Sequence, residues 1–150
     1  MNQNKFKQKL LCGCLVLGVS IAKADIAIIV HPANQNIKMT RSDIQEIFLG
    51  VRKSLPNGVL VTPIDQPQSK PIRQVFYQLV AGKTAVQMDT YWGRIVFTGK
   101  GAPPKTLPDN TNVSQKIAAD KNAIGYVDAA TVLNAKEVST VFVIPTKGIY

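Results

Sequence analysis

Val59-Leu60-Val61-Thr62-Pro63-Ile64, then Asp65-Gln66-Pro67-Gln68-Ser69-Lys70-Pro71, then Ile72-Arg73-Gln74-Val75-Phe76-Tyr77-Gln78-Leu79-Val80 carry the pattern that decides the fold. The first part is apolar and β-branched, which suits a strand over residues 59–64. Pro63 has no N–H to donate and argues against a position paired on both sides. The middle part is polar and proline-bearing, a loop. In the last part Ile72, Val75, Phe76, Leu79 and Val80 recur at three- and four-residue spacing, the stripe of an amphipathic helix. That helix is expected to begin near Ser69, with Pro71 in its first turn, and to close at Gly82. A strand feeding a helix through a short loop is the building unit of an α/β domain.

The flanks repeat the alternation. Asp25 to Val30 reads as a buried strand and His31 to Asn36 as a loop. Thr40, with Asp43 three residues on, reads as a capped helix start, and Ile44, Ile47 and Phe48 share one face of that helix. Gly50 ends it, and Leu55-Pro56-Asn57-Gly58 is a turn. Beyond Gly82, Thr84 caps a helix carrying Val86, Met88, Tyr91, Trp92, Ile95 and Val96. Thr98 to Pro104 is a long turn. Asn110 or Asn112 is expected to cap a helix through Val113 and Ile117. Ala123 to Val127 follows as a strand, and Asp128 as the cap of a brief helix through Val132 and Leu133. Val138 to Ile144 is the last strand. The expectation is one α/β domain over residues 25–150, with a central parallel or mixed sheet flanked by helices.

The chain has 150 residues, 45% apolar and 18% charged, which excludes wholesale disorder and fits one domain. Residues 1–24 read as a secretory signal peptide. Lys5, Lys7 and Lys9 precede a 13-residue, almost uncharged stretch from Leu10 to Ala22, and Ala22-Lys23-Ala24 offers a cleavage site. Both cysteines, Cys12 and Cys14, fall in this leader, so the exported chain is expected to hold no disulfide. No later segment is long and apolar enough to cross a membrane. The formal charge is +9, but of the 18 basic residues four lysines belong to the leader, leaving 14 against 9 acids. Those 14 form no run longer than two, and an exported chain meets little nucleic acid, so a nucleic-acid partner is not expected.

Catalytic chemistry is scarce. His31 is the single histidine, so neither a nucleophile–histidine pair with a positioned acid nor a zinc ligand set is apparent, and the chain reads as a non-enzyme without metal or cofactor. The better candidate is the helix start at Gln68-Ser69-Lys70. Free backbone donors and the positive dipole end favour an anion there. Ser69 offers a hydroxyl and Arg73, one turn on, a forked guanidinium. The competing readings are an ordinary N-cap for Ser69 and a solvated helix residue for Arg73. His31, after the first strand, is either a cleft residue or a surface loop residue. Tyr91, Trp92 and Phe97 read first as packing residues.

Several stretches together resemble a known group. They are Val30-His31-Pro32, Thr40-Arg41-Ser42-Asp43-Ile44-Gln45-Glu46-Ile47-Phe48-Leu49-Gly50, Pro63-Ile64-Asp65-Gln66-Pro67, Phe76-Tyr77, Tyr91-Trp92, Phe97 to Pro104, and Ala123-Ile124-Gly125-Tyr126-Val127. The chain resembles the small, exported phosphate ABC transporter substrate-binding-like proteins of Gram-negative bacteria, related to one lobe of the periplasmic phosphate-binding protein. The resemblance implies a single lobe of a type II periplasmic-binding-protein-like fold, a periplasmic location, and binding of phosphate or another small oxyanion in connection with ABC uptake. In full-length phosphate binders the strand-to-helix loop resembles Arg-Ser-Asp-Gly-Ser-Gly-Thr. Here Ser69 matches a phosphate-contacting serine, Asp65 stands in place of the arginine, Lys70 replaces a glycine and Pro71 a threonine. The charge reversal at Asp65 and the missing second lobe motivate an alternative. In it the chain is an envelope protein-interaction module, homodimeric in one version, that has lost high-affinity ligand binding.

Overall fold

The computed structural model describes residues 24–147, so the expected leader lies, apart from Ala24, outside the described residues. At the heart of the sheet is β1 (Ile26–Val30), whose five residues are all buried. A strand covered on both faces needs a continuous apolar run, and Ile26-Ala27-Ile28-Ile29-Val30 supplies one. Around it stand β2 (Thr62–Asp65), β3 (Lys105–Thr106), β4 (Ala123–Asp128) and β5 (Ser139–Ile144), in the order β3-β2-β4-β1-β5. β2 runs parallel to β3 and β4, whereas β1 runs antiparallel to β4 and β5. The sheet is mixed and flanked by helices, as the sequence implied.

Among the described residues four α-helices accompany the sheet: α1 (Arg41–Phe48), α2 (Pro71–Ala81), α3 (Ala85–Phe97) and α4 (Asn110–Ala119). α1 begins with the expected capping box: Thr40 Oγ1 accepts from the Asp43 N–H, and Asp43 Oδ2 accepts from the Thr40 N–H at 2.8 Å. α3 begins the same way, with Thr84 and Gln87. Gly82 closes α2 in the left-handed conformation, at φ 62°.

Alternate residues of the central strands serve two cores. Ile26, Ile28, Val30, Ile124 and Tyr126 face α1, α2 and α3, whereas Ala27, Ile29, Ala123 and Val127 face Val113 and Ile117 of α4. Phe48, Phe76 and Tyr126 meet in the larger core, with Phe76 stacked on Tyr126 at 3.9 Å between centroids. At Gly125 α4 lies so close that an added Cβ would sit 2.6 Å from Val113 Cγ1.

Several boundaries differ from the sequence reading. β2 starts at Thr62 rather than Val59 and ends at Asp65. Leu60, outside the strand, bridges to Ser54 across the Leu55–Gly58 turn and is exposed. β-propensity alone drew the strand too early. Pro63 pairs only with Ile124 of β4, because β3 reaches no further than Ile64 and Asp65. β3 was not foreseen, since two residues carry no periodicity. α4 is capped by Asp109, whose Oδ1 accepts from the Asn112 N–H at 2.9 Å, not by Asn110 or Asn112. The helix expected after Asp128 is a 3-10 turn over Ala129–Val132, and the Asp128 side chain does not cap it.

Candidate functional site

β2 and β4 run one way and β1 the other, so the carboxyl ends of β2 and β4 share one end of the sheet with the amino end of β1. A cavity of about 310 Å³ opens there, lined among others by Gln66, Lys70, Pro71, Asp109, Asn110 and Asp128. Both α2 and α4 begin on its wall, so two positive helix ends meet at one cavity. Its polar side chains are tied to one another. Gln66 Nε2 donates to Asn110 Oδ1 at 2.9 Å and to the Tyr126 carbonyl at 3.0 Å. Asn110 Nδ2 donates in turn to Asp128 Oδ2 at 2.6 Å. The Asn112 amide and side chain, bonded to Asp109, hold that carboxyl below the usual carboxylate range, with a contribution from the Lys70 charge.

Of the five candidates from the sequence, the cavity gathers Lys70 alone. Lys70 is the N-cap residue of α2, with no side-chain capping bond, and Pro71 occupies the first helical position. Ser69 is therefore not the cap; it lies one residue further out and is exposed. Gln68 turns away from the cavity, donating from Nε2 to Asp89 of α3. His31 follows the carboxyl end of β1, at the opposite end of the sheet. There its Nδ1 accepts from the Ala33 N–H at 3.1 Å, and nearby Asn34 donates to the Lys121 carbonyl just ahead of β4.

Arg73 departs furthest from expectation. It is only 8% exposed and donates from Nε to Asp65 Oδ2 at 3.1 Å. Asp65, itself 3% exposed, also accepts from the Tyr77 hydroxyl at 2.9 Å, the Gln66 N–H at 2.8 Å and the Tyr126 hydroxyl. Asp65, at the position where the resemblance had implied an arginine, is thus paired with an arginine on the following helix. Burial, with the Asp65 carboxylate beside it, pushes the Tyr77 and Tyr126 hydroxyls far above the usual tyrosine range, so both stay donors. Burial works against the Arg73 charge, but the Asp65 carboxylate outweighs it and holds the guanidinium protonated.

One signal in the sequence pointed to this cluster. The buried stripe of α2 is Arg73, Phe76, Tyr77 and Val80, one position round from Ile72 and Val75. An arginine at three-, four- and seven-residue spacing from core residues requires a buried acid, and Asp65 closes the preceding strand. Gln66, Asp109, Asn110 and Asp128 come together only through the fold.

No family model matches the sequence, and no curated protein does. Solved structures do match. A Clostridium perfringens protein described as a phosphate ABC transporter substrate-binding protein, with phosphate bound, is 19% identical at a TM-score of 0.60, over 79% of this chain and 44% of that one. An ABC-type phosphate transport receptor from Vibrio cholerae is 17% identical at a TM-score of 0.61, over 79% and 45%. PstS from Borrelia burgdorferi is 14% identical at 0.57, over 85% and 49%. The chain therefore spans less than half the length of these proteins, and at such identities the likeness is one of fold: a single lobe of a periplasmic phosphate-binding-protein-like architecture.

Proposed function

We propose that this chain is an exported, non-enzymatic solute-binding module that holds a small oxyanion, phosphate being the reference case, in the cavity where α2 and α4 begin. The observation that carries the reading is the meeting of Lys70 with two helix N-termini on one cavity wall. The phosphate-binding description of the structural neighbours supports it. The periplasm is the location proposed, on the strength of the leader and of the resemblance. The cavity is open, Pro71 removes one amide donor, and Arg73 is committed to Asp65, so binding is expected to be weak, with a Kd in the ~millimolar range. Asp109 and Asp128 accept hydrogen bonds only, which favours an anion that carries a proton of its own; hydrogen phosphate should bind ahead of sulfate.

Titration calorimetry tests this. Phosphate at millimolar concentration should give saturable heat that Lys70→Ala abolishes and Ser69→Ala leaves intact. No heat from wild type would sink the proposal. The second reading is an envelope-interaction module, as a homodimer or with another protein. The pairing of Arg73 with Asp65, which leaves the guanidinium less available to an anion, motivates it. Light scattering at micromolar concentration decides the homodimer: a monomeric mass removes it.

A further inference from the structure

A second and larger cavity lies at the other end of the sheet, and the proposed phosphate site makes no use of it. It is a groove of about 660 Å³, reached from the amino end of β2 at Thr62 and Pro63 and from Asn122 ahead of β4. That volume falls within the ~300–1,000 Å³ of small-molecule sites. The groove has two chemical characters. Leu49, Val51, Leu60, Tyr91, Trp92 and Ile95 give it an apolar lining, and Val51 and Leu60 are 72% and 67% exposed. Solvent-facing aliphatic side chains gathered around a concavity are what an apolar ligand covers.

Its charges are all of one sign. Arg52, Lys53, Lys100 and Lys105 line the groove and no carboxylate does. Arg52 is paired with Asp43 and Glu46. Lys53, Lys100 and Lys105 are exposed, and none takes part in a salt bridge among the described residues. The phosphate cavity, by contrast, sets one lysine against two aspartates. Trp92 lines the groove at 7% exposure, and its indole Nε1 is buried without a hydrogen-bond partner among the described residues. Buried donors are nearly always satisfied, so this N–H, closed off behind the groove wall, gains a partner only if the wall shifts.

We propose that this groove binds an amphiphilic carboxylate as a free monomer: an aliphatic or aryl body against Leu60, Trp92 and Ile95, and an anionic head among Lys53, Lys100 and Lys105. Concavity favours a single molecule over a membrane surface, which would need a flat or convex apolar face. The binding is independent of Lys70, at the far end of the sheet.

Trp92 is the chain's only tryptophan, so its fluorescence reports directly on the groove. The test titrates full-length protein with decanoate below micelle-forming concentration. Parallel titrations use decanol, acetate and phosphatidylglycerol vesicles. Decanoate is expected to change Trp92 emission saturably at one site per chain, with decanol and acetate each about tenfold weaker or more. Lys100→Gln/Lys105→Gln, two exposed positions whose loss leaves the core untouched, is expected to weaken decanoate by about tenfold. Lys70→Ala is expected to change nothing. Equal affinity for decanol, or no effect of the double variant, would remove the anionic head from the proposal and overturn it. So would no response to decanoate, or a response to vesicles alone.

Discussion

Replacing Arg73 by methionine separates two accounts of this residue. If Arg73 anchors an anion, Arg73→Met costs binding and leaves stability nearly unchanged. The structure predicts the reverse. Arg73 is 8% exposed, bonded to a carboxylate that is 3% exposed, with its guanidinium carbon 4.9 Å from the centre of the Tyr77 ring. Removing one partner of a buried pair costs about 3–5 kcal/mol, because the remaining charge is stranded. Asp65 keeps three neutral donors, in Gln66, Tyr77 and Tyr126, so the lower end applies, about 3 kcal/mol. For a domain of this length that is a fall in melting temperature of roughly 10 °C. Urea denaturation of Arg73→Met, Asp65→Asn and the double variant gives the cycle. The double variant is expected to be more stable than the sum of the single losses allows, by about 1–3 kcal/mol, since neither partner is left charged alone. An Arg73→Met protein within about 0.5 kcal/mol of wild type would refute the buried-pair argument.

Three further outcomes can be checked alongside. Gly125→Ala places a Cβ 2.6 Å from Val113 Cγ1 and should cost about 1–3 kcal/mol in the same urea assay, whereas Gly125→Ala combined with Val113→Ala should recover part of the loss. Gly50→Ala should also destabilise, by about 1 kcal/mol or more, because its φ is 73° and the new Cβ would lie 3.1 Å from Trp92 Cη2; a shift in Trp92 emission should accompany it. The Thr40 hydroxyl and amide, and then Arg52, hold the Asp43 carboxyl below its usual range. A depressed carboxylate stabilises the fold above its unfolded value, near pH 4, and that contribution disappears as pH falls through the folded value. Melting temperatures followed downward from pH 5 should therefore drop less steeply in Asp43→Asn than in wild type; parallel curves would count against it.

The parts of this fold that local chemistry determines were legible in the sequence, and the parts that need the third dimension were not. Thr40, Thr84, Gly50 and Gly82 act within one turn of backbone, and each stands where the sequence put it. The central strands were legible because burial on both faces leaves an unbroken apolar run. The candidate site fared worse for the same physical reason. Lys70 could be placed at a helix start because that is a local feature. Arg73 was misread because its partner sits eight residues back on a strand, and the buried face, which the expected stripe shares at Phe76 and Val80, extends further round to Arg73 and Tyr77. His31 was misplaced because only the antiparallel direction of β1 puts its carboxyl end away from Lys70. Asn110 and Asp128 reach the cavity through the packing of α4 and β4, which residue spacing does not encode.

The distribution of charge bears on both proposed sites at once. Beyond residue 24 the chain has more basic than acidic side chains, and that excess would ordinarily be credited to an anion such as phosphate. The structure divides it unevenly. The cavity at the starts of α2 and α4 has one lysine and two aspartates, while the groove at the other end has Lys53, Lys100 and Lys105 outside any salt bridge among the described residues, its Arg52 being paired with Asp43 and Glu46. Long-range attraction of any anion therefore favours the groove, and only fixed donors at close range favour the cavity. A phosphate affinity that falls steeply with salt and with Lys100→Gln/Lys105→Gln would place phosphate in the groove. One that responds to Lys70→Ala and little to salt would place it where the two helices begin. The same two variants thus assign any anion to one end of the sheet, whichever anion is found.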